Sequence, residues 1–65
     1  MKSDLIDIQV ETVAQTDKAI LVHTGIKEKA AWIPLSRVEY YKNGAMPGID
    51  IVTLPERLAL EKGLI

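Results

Sequence analysis

Polar and apolar residues alternate from Leu5 to Val13. Ile6, Ile8 and Val10 fall on one side of an extended chain; Asp7, Gln9 and Glu11 fall on the other. A period of two cannot sit still as a helix, so residues 5–13 read as a half-buried strand that needs neighbours for its edges. AILVHT, residues 19–24, supplies one, and its four consecutive apolar residues suit a central strand. Further strands are predicted over 30–33, 38–42 and 49–53, the last with Ile49, Ile51 and Thr53 on one face.

The connections carry their own signals. In AQTDK, Asp17 can hydrogen-bond backbone two residues on, and Gly25 with KEK makes a polar turn. Pro34 cannot donate to a ladder, so PLSR reads as a corner or one turn of 3₁₀ helix, with Ser36 placed to bond backbone locally. NGAMPG, residues 43–48, reads as a loop: Asn43-Gly44 favours positive φ and Pro47-Gly48 closes a second bend.

The period then switches. Thr53 and Glu56 fit a capping box, with Pro55 in the first turn. Leu54, Leu58, Leu60, Leu64 and Ile65 give a helical apolar stripe, and Gly63 is placed for a left-handed cap. A helix is predicted over 54–62. Five strands and a terminal helix define an α+β fold, a small antiparallel five-stranded sheet or a partly open barrel, in one domain over 1–65.

The chain has 65 residues, 48% of them hydrophobic and 26% charged, with a net charge of −1. That balance disfavours both disorder and generic nucleic-acid binding, which calls for a basic excess. Cysteine is absent, which removes disulfides, thiolate nucleophiles and Cys-based zinc sites. The start, MKSDLIDIQVET, has no apolar h-region, and no apolar run is long enough for a bilayer. A secreted domain this small usually needs staples, so a cytoplasmic setting is expected, and with Met1 at one end and GLI at the other the sequence is read as a complete small gene product.

The run WIPLSRV, Trp32 to Val38, is similar to the late strand, 3₁₀ turn and strand of SH3 domains. It implies SH3-like geometry. The aromatic-lined specificity loop of peptide-binding SH3 domains is missing, so Pro-rich ligands are not implied. More of the chain is covered by a second likeness. A β-rich start, a central W-x-P-x-S and the ending LPERLALEKGLI look like small accessory proteins of phages and prophages. Some proteins of that size and origin are anti-CRISPR inhibitors. That resemblance implies a host protein complex as partner, a CRISPR effector or another defence complex.

Candidate chemistry is sparse. His23 is the only histidine and has no flanking metal-ligand or nucleophile partner. Ser36 lies in no nucleophile elbow. Gly44 and Gly48 lead into a strand without the Lys of a phosphate loop. No catalytic, cofactor or metal site is therefore expected, and the chain is read as non-enzymatic. Asp7 and Glu11 line the polar side of the first strand, roughly 13 Å apart, and an acidic row can imitate nucleic-acid phosphates. Tyr40 and Tyr41 are adjacent, so they point to opposite faces. Val38 is in phase with Tyr40, which places Tyr40 inside and Tyr41 outside. With no Phe to fill a core, Trp32 is expected to be buried. Met46 is expected at an exposed tip, where a flexible thioether suits protein contact.

The resulting expectation is a protein-interaction module. It would inhibit a host defence complex by steric blocking, through Asp7, Glu11, Arg37, Tyr41 and Met46, with no cofactor, no membrane and no direct nucleic-acid contact. The alternative is a small nucleic-acid-binding barrel, against which the shortage of basic residues counts.

Overall fold

The computed structural model describes residues 4–65. Five strands run in the order β3-β2-β1-β5-β4, every neighbouring pair antiparallel. They are β1 (Leu5–Gln15), β2 (Ala19–His23), β3 (Ala31–Pro34), β4 (Glu39–Met46) and β5 (Ile49–Pro55), followed by helix α1 (Glu56–Glu61). Single 3₁₀ turns, Lys27–Lys29 and Leu35–Arg37, precede β3 and β4. The fold is the small open α+β sheet that the alternation predicts.

β1 holds the sheet together by serving two neighbours in succession. Leu5 to Val10 pair with β5, from Leu5 opposite Pro55 to Val10 opposite Asp50. Glu11 to Gln15 pair with β2. Thr12 faces Val22 and Ala14 faces Leu21, so Val13 is the extra residue of a β-bulge. The bulge bends β1 and extends it to Gln15, beyond the predicted end at residue 13.

The inner face carries the core. Val10, Ile20, Val22, Ile33, Val52 and Leu54 are essentially inaccessible, and α1 adds Leu58 and Ala59. Ile6, Ile8 and Tyr40 pack against this cluster as the strand phases require, and Leu35 and Val38 join them from the 3₁₀ corner.

Trp32 is not in the core: it is 46% exposed. Ile33 faces Ile20 on the inner side, and both are fully buried. Trp32 must then point outward, opposite Leu21. The helix packs on the inner side, with Leu58 and Ala59, and leaves the outer side of β3 uncovered. Phase decides the position of the tryptophan, against its size.

The end of the chain also corrects the sequence reading. β5 runs on to Pro55, so α1 spans Glu56–Glu61 and not 54–62. There is no capping box. The Thr53 hydroxyl bonds Asp7, and the first helical N–H, from Glu56, reaches the Asp4 carbonyl at 2.8 Å. Leu60 and Ile65 are exposed, so the apolar stripe narrows to Leu58 and Leu64. The C-terminal cap does form. Gly63 has φ +72, its N–H reaches the Leu60 carbonyl at 3.2 Å, and Leu64 N–H reaches the Ala59 carbonyl at 2.9 Å. These are the two bonds of a Schellman motif, with buried Leu64 as its apolar contact.

Two connections differ as well. Pro34 is the last residue of edge strand β3, opposite Ala19, and the corner closes through backbone: Leu35 N–H to Lys18 carbonyl at 2.8 Å. The Ser36 hydroxyl does not cap the turn. Residues 43–46 belong to β4 rather than to a loop. Tyr41 faces Ile51 and Met46 faces Ile49, so the intervening residues of β4 form a broad bulge. Asn43 takes the positive φ, +56, and Gly44 does not. Only Pro47 and Gly48 form the hairpin turn, with Gly48 at φ +88 as a type II bend requires.

Candidate functional site

Alternation and register together build the outer face of β1, β5 and β4. Asp7 lies opposite Thr53, and Thr53 lies opposite Glu39. One step along, Gln9 lies opposite Ile51, and Ile51 opposite Tyr41. With strands about 4.8 Å apart, the Asp7 and Glu39 backbones stand about 10 Å from each other. The outward residues of these three strands include no Lys or Arg.

Both carboxylates are held in place by hydroxyls of the same face. Thr53 Oγ1 donates to Asp7 Oδ1 at 2.5 Å. The Tyr41 hydroxyl donates to Glu39 Oε1. That bond holds the Tyr41 phenol above its ordinary pKa, helped by the charges of Glu39 and Asp7. The result is a fixed pair of negative charges with a phenol, 48% exposed, beside them.

Of the five residues singled out in the sequence, Asp7, Tyr41, Glu11 and Met46 share this outer side. Glu11 continues the outward phase of β1 and lines a shallow cleft with Ile49, and Met46 is exposed opposite Ile49. Arg37 lies apart, in the 3₁₀ turn at the lower end of the face, near Glu39 and Thr53. Glu39 was not singled out in the sequence, and Thr53 only as a helix cap. Only the cross-strand register reveals them, because β4 and β5 are separate in sequence until their pairing is known.

The inner side holds a second polar group. Asp50 is 95% enclosed, in a strand otherwise lined by Val52 and Leu54 on that face. Its Oδ1 accepts Asn43 N–H at 2.6 Å. Its Oδ2 accepts the Thr12 hydroxyl at 2.5 Å and the Tyr40 hydroxyl at 2.9 Å. Burial works against ionisation, but Asn43 N–H, the two hydroxyls and the charge of Lys42 outweigh it and hold the carboxyl below its usual pKa. Tyr40 is pushed the other way, by burial first and by donating to Asp50. A carboxylate held ionised in this way is a weak proton acceptor. Its role is mechanical: it joins β1, β4 and β5 where β1 leaves β5, and it fixes the β4 bulge. Asn43 Oδ1 in turn accepts Gly48 N–H at 3.0 Å. Sequence reasoning missed this network, since Asp50 stands between two isoleucines that face outward.

His23 ends β2 and is buried. Its Nδ1 accepts Gly25 N–H at 3.0 Å, so the ring proton of the neutral form lies on Nε2. Among the described residues no three His, Asp or Glu side chains converge as a metal site. Among them, too, no helix is long and apolar enough to cross a membrane.

No protein family, curated protein or solved structure matches this chain.

Proposed function

We propose that this chain is a non-enzymatic protein-interaction module whose docking surface is the outer face of β1, β5 and β4. The observation that carries this reading is the pair of hydroxyl-held carboxylates, Asp7 with Thr53 and Glu39 with Tyr41. Surface carboxylates usually move freely or pair with neighbouring cations. Here they are preorganised, and β1, β5 and β4 place no Lys or Arg on that face. Preorganised groups lose less side-chain entropy on binding. Tyr41 adds a large, stiff contact area of the kind that dominates binding hot spots. The complementary partner surface is basic.

Basic protein surfaces of this kind commonly serve nucleic acid. A module that covers one blocks nucleic acid without chemistry of its own. Combined with the likeness to small phage accessory proteins, this gives the specific proposal: an inhibitor of a host defence complex, of anti-CRISPR type, acting by steric blocking of a DNA-binding surface. Asp7, Glu39 and Tyr41 make the central contacts. Glu11 and Met46 extend them toward the β4–β5 turn, and Arg37 stands at the lower rim.

The test is affinity purification from bacteria that carry a defence system, with wild type and Asp7→Lys/Glu39→Lys as paired baits. A stoichiometric defence complex on the first bait and not on the second supports the reading. Salt-sensitive binding of the purified chain to DNA or RNA, with no protein partner, contradicts it.

A further inference from the structure

A different edge of the same strand is left open. The two ladders of β1 change over between Val10 and Glu11. The bond from Glu56 N–H to Asp4 carbonyl sets the phase of the first ladder, because hydrogen-bonded pairs alternate along antiparallel strands. Even-numbered residues of β1 therefore turn their backbone groups toward β5, and Thr12 continues that phase past the last β5 pair. At the other end, Thr16 N–H bonds the Ala19 carbonyl at 2.8 Å, so Thr16 and Ala14 face β2. Gln15 then turns its N–H and carbonyl the opposite way. The Val13 bulge brings an even and an odd residue onto one edge. Among the described residues, neither ladder gives the Thr12 or Gln15 backbone a partner there.

A cleft of about 340 Å³ runs along that edge. Glu11 to Gln15 form one wall; Tyr40, Lys42 and Asp50 belong to the other. The second wall is fixed, since Asp50 holds both Tyr40 and the Asn43 backbone.

We propose that this cleft is a strand-addition site, in which an extended segment of a partner protein exchanges backbone hydrogen bonds with Thr12 and Gln15. An edge that presents N–H and carbonyl groups at intervals is matched by another backbone. Because the edge lies within a cleft walled on its other side by Tyr40, Lys42 and Asp50, a single extended segment fits it better than the edge of a folded sheet. Exposed Glu11 and Lys42 carry opposite charges across the cleft, and enclosed Asp50 already accepts three hydrogen bonds, so the segment is uncharged. The Thr12 and Tyr40 oxygens retain acceptor lone pairs and favour a Ser, Thr or Asn side chain above them. Glu11 borders both this cleft and the acidic outer face; the Thr12 and Gln15 backbone edge belongs to the cleft alone, and its occupant is distinct from the partner proposed for the outer face.

The experiment selects binders from a displayed library of random linear peptides and maps the strongest one by amide hydrogen exchange. Slowed exchange at Thr12 and Gln15 is expected. Gln15→Pro, which removes the outward N–H, weakens binding by about tenfold or more, and Gln15→Ala leaves it within about twofold. The same peptide N-methylated at alternate residues also loses affinity for the wild-type protein, which gives a result even where Gln15→Pro fails to fold. The proposal is overturned by a library without binders, by binders that protect Tyr41 and Ile51 instead, or by unchanged affinity of the N-methylated peptide. Concentration-dependent protection of Thr12 and Gln15 without peptide assigns the edge to a second copy and overturns it equally.

Discussion

The Tyr40 hydroxyl donates to Asp50 Oδ2 across 2.9 Å and joins β4 to β5 from the inside of the sheet. The Thr12 hydroxyl meets the same oxygen at 2.5 Å and lies 2.9 Å from the tyrosine oxygen. Three close oxygen contacts thus share two hydroxyl protons, and both protons are best spent on the charged partner. With Asn43 N–H on the other carboxylate oxygen, a buried charge is stabilised with no cation in contact. Replacing Asp50 by Ala leaves these donors facing a void. A loss of about 3 kcal/mol is expected in urea denaturation, against about 1 kcal/mol for Tyr40→Phe.

The pH dependence follows from the same network. The folded-state pKa of Asp50 lies below its unfolded value, so its stabilisation is present above the unfolded carboxylate range, near pH 4, and is lost as pH falls through the folded pKa. Tyr40 is raised from 10.0, so its contribution is present below that value and is lost as pH rises through the folded pKa. Denaturant midpoints measured from pH 2 to 11 should fall at both ends. Asp50→Asn should flatten the acid limb, and Tyr40→Phe part of the alkaline limb.

Ile33→Ala should cost about 2–5 kcal/mol, because it empties a fully buried site, while Trp32→Ala should cost under about 1 kcal/mol. Calorimetric melting of the two variants separates them. Acrylamide should quench the Trp32 fluorescence of the folded protein readily.

Much of the fold is legible in the sequence, since period two and turn chemistry are local. Ile6, Ile8, Val10 and Tyr40 lie where phase puts them, and Gly63 caps where a glycine after the last turn should. Misreadings arise where a residue's partner is remote in sequence. Thr53 looks like a cap until Asp7, on another strand, takes its hydroxyl. Trp32 looks like core until the helix is seen to cover the Ile33 side. The outer face was half visible: Asp7 and Tyr41 stand out by type, but Glu39 and Thr53 gain meaning only through register. Asp50 has no local signal, because its donors come from residues 12, 40 and 43.

Gly44 sits in a tight place against its neighbours. A Cβ there would lie 3.0 Å from both the Cβ and the carbonyl oxygen of Tyr41, and 3.2 Å from Ile51 Cβ. Gly44→Ala should destabilise by about 1–3 kcal/mol and shift the Tyr41 ring, read as a perturbed Tyr41 aromatic resonance.

The most direct test of the proposed docking surface is target-DNA binding by purified RNA-guided effectors, titrated with this protein and with Asp7→Lys/Glu39→Lys. Wild type should abolish DNA binding at stoichiometric ratio, and the charge-reversed variant, folded by circular dichroism, should leave it intact. Equal inhibition by both, or no inhibition by wild type across a panel of such effectors, would contradict the proposal.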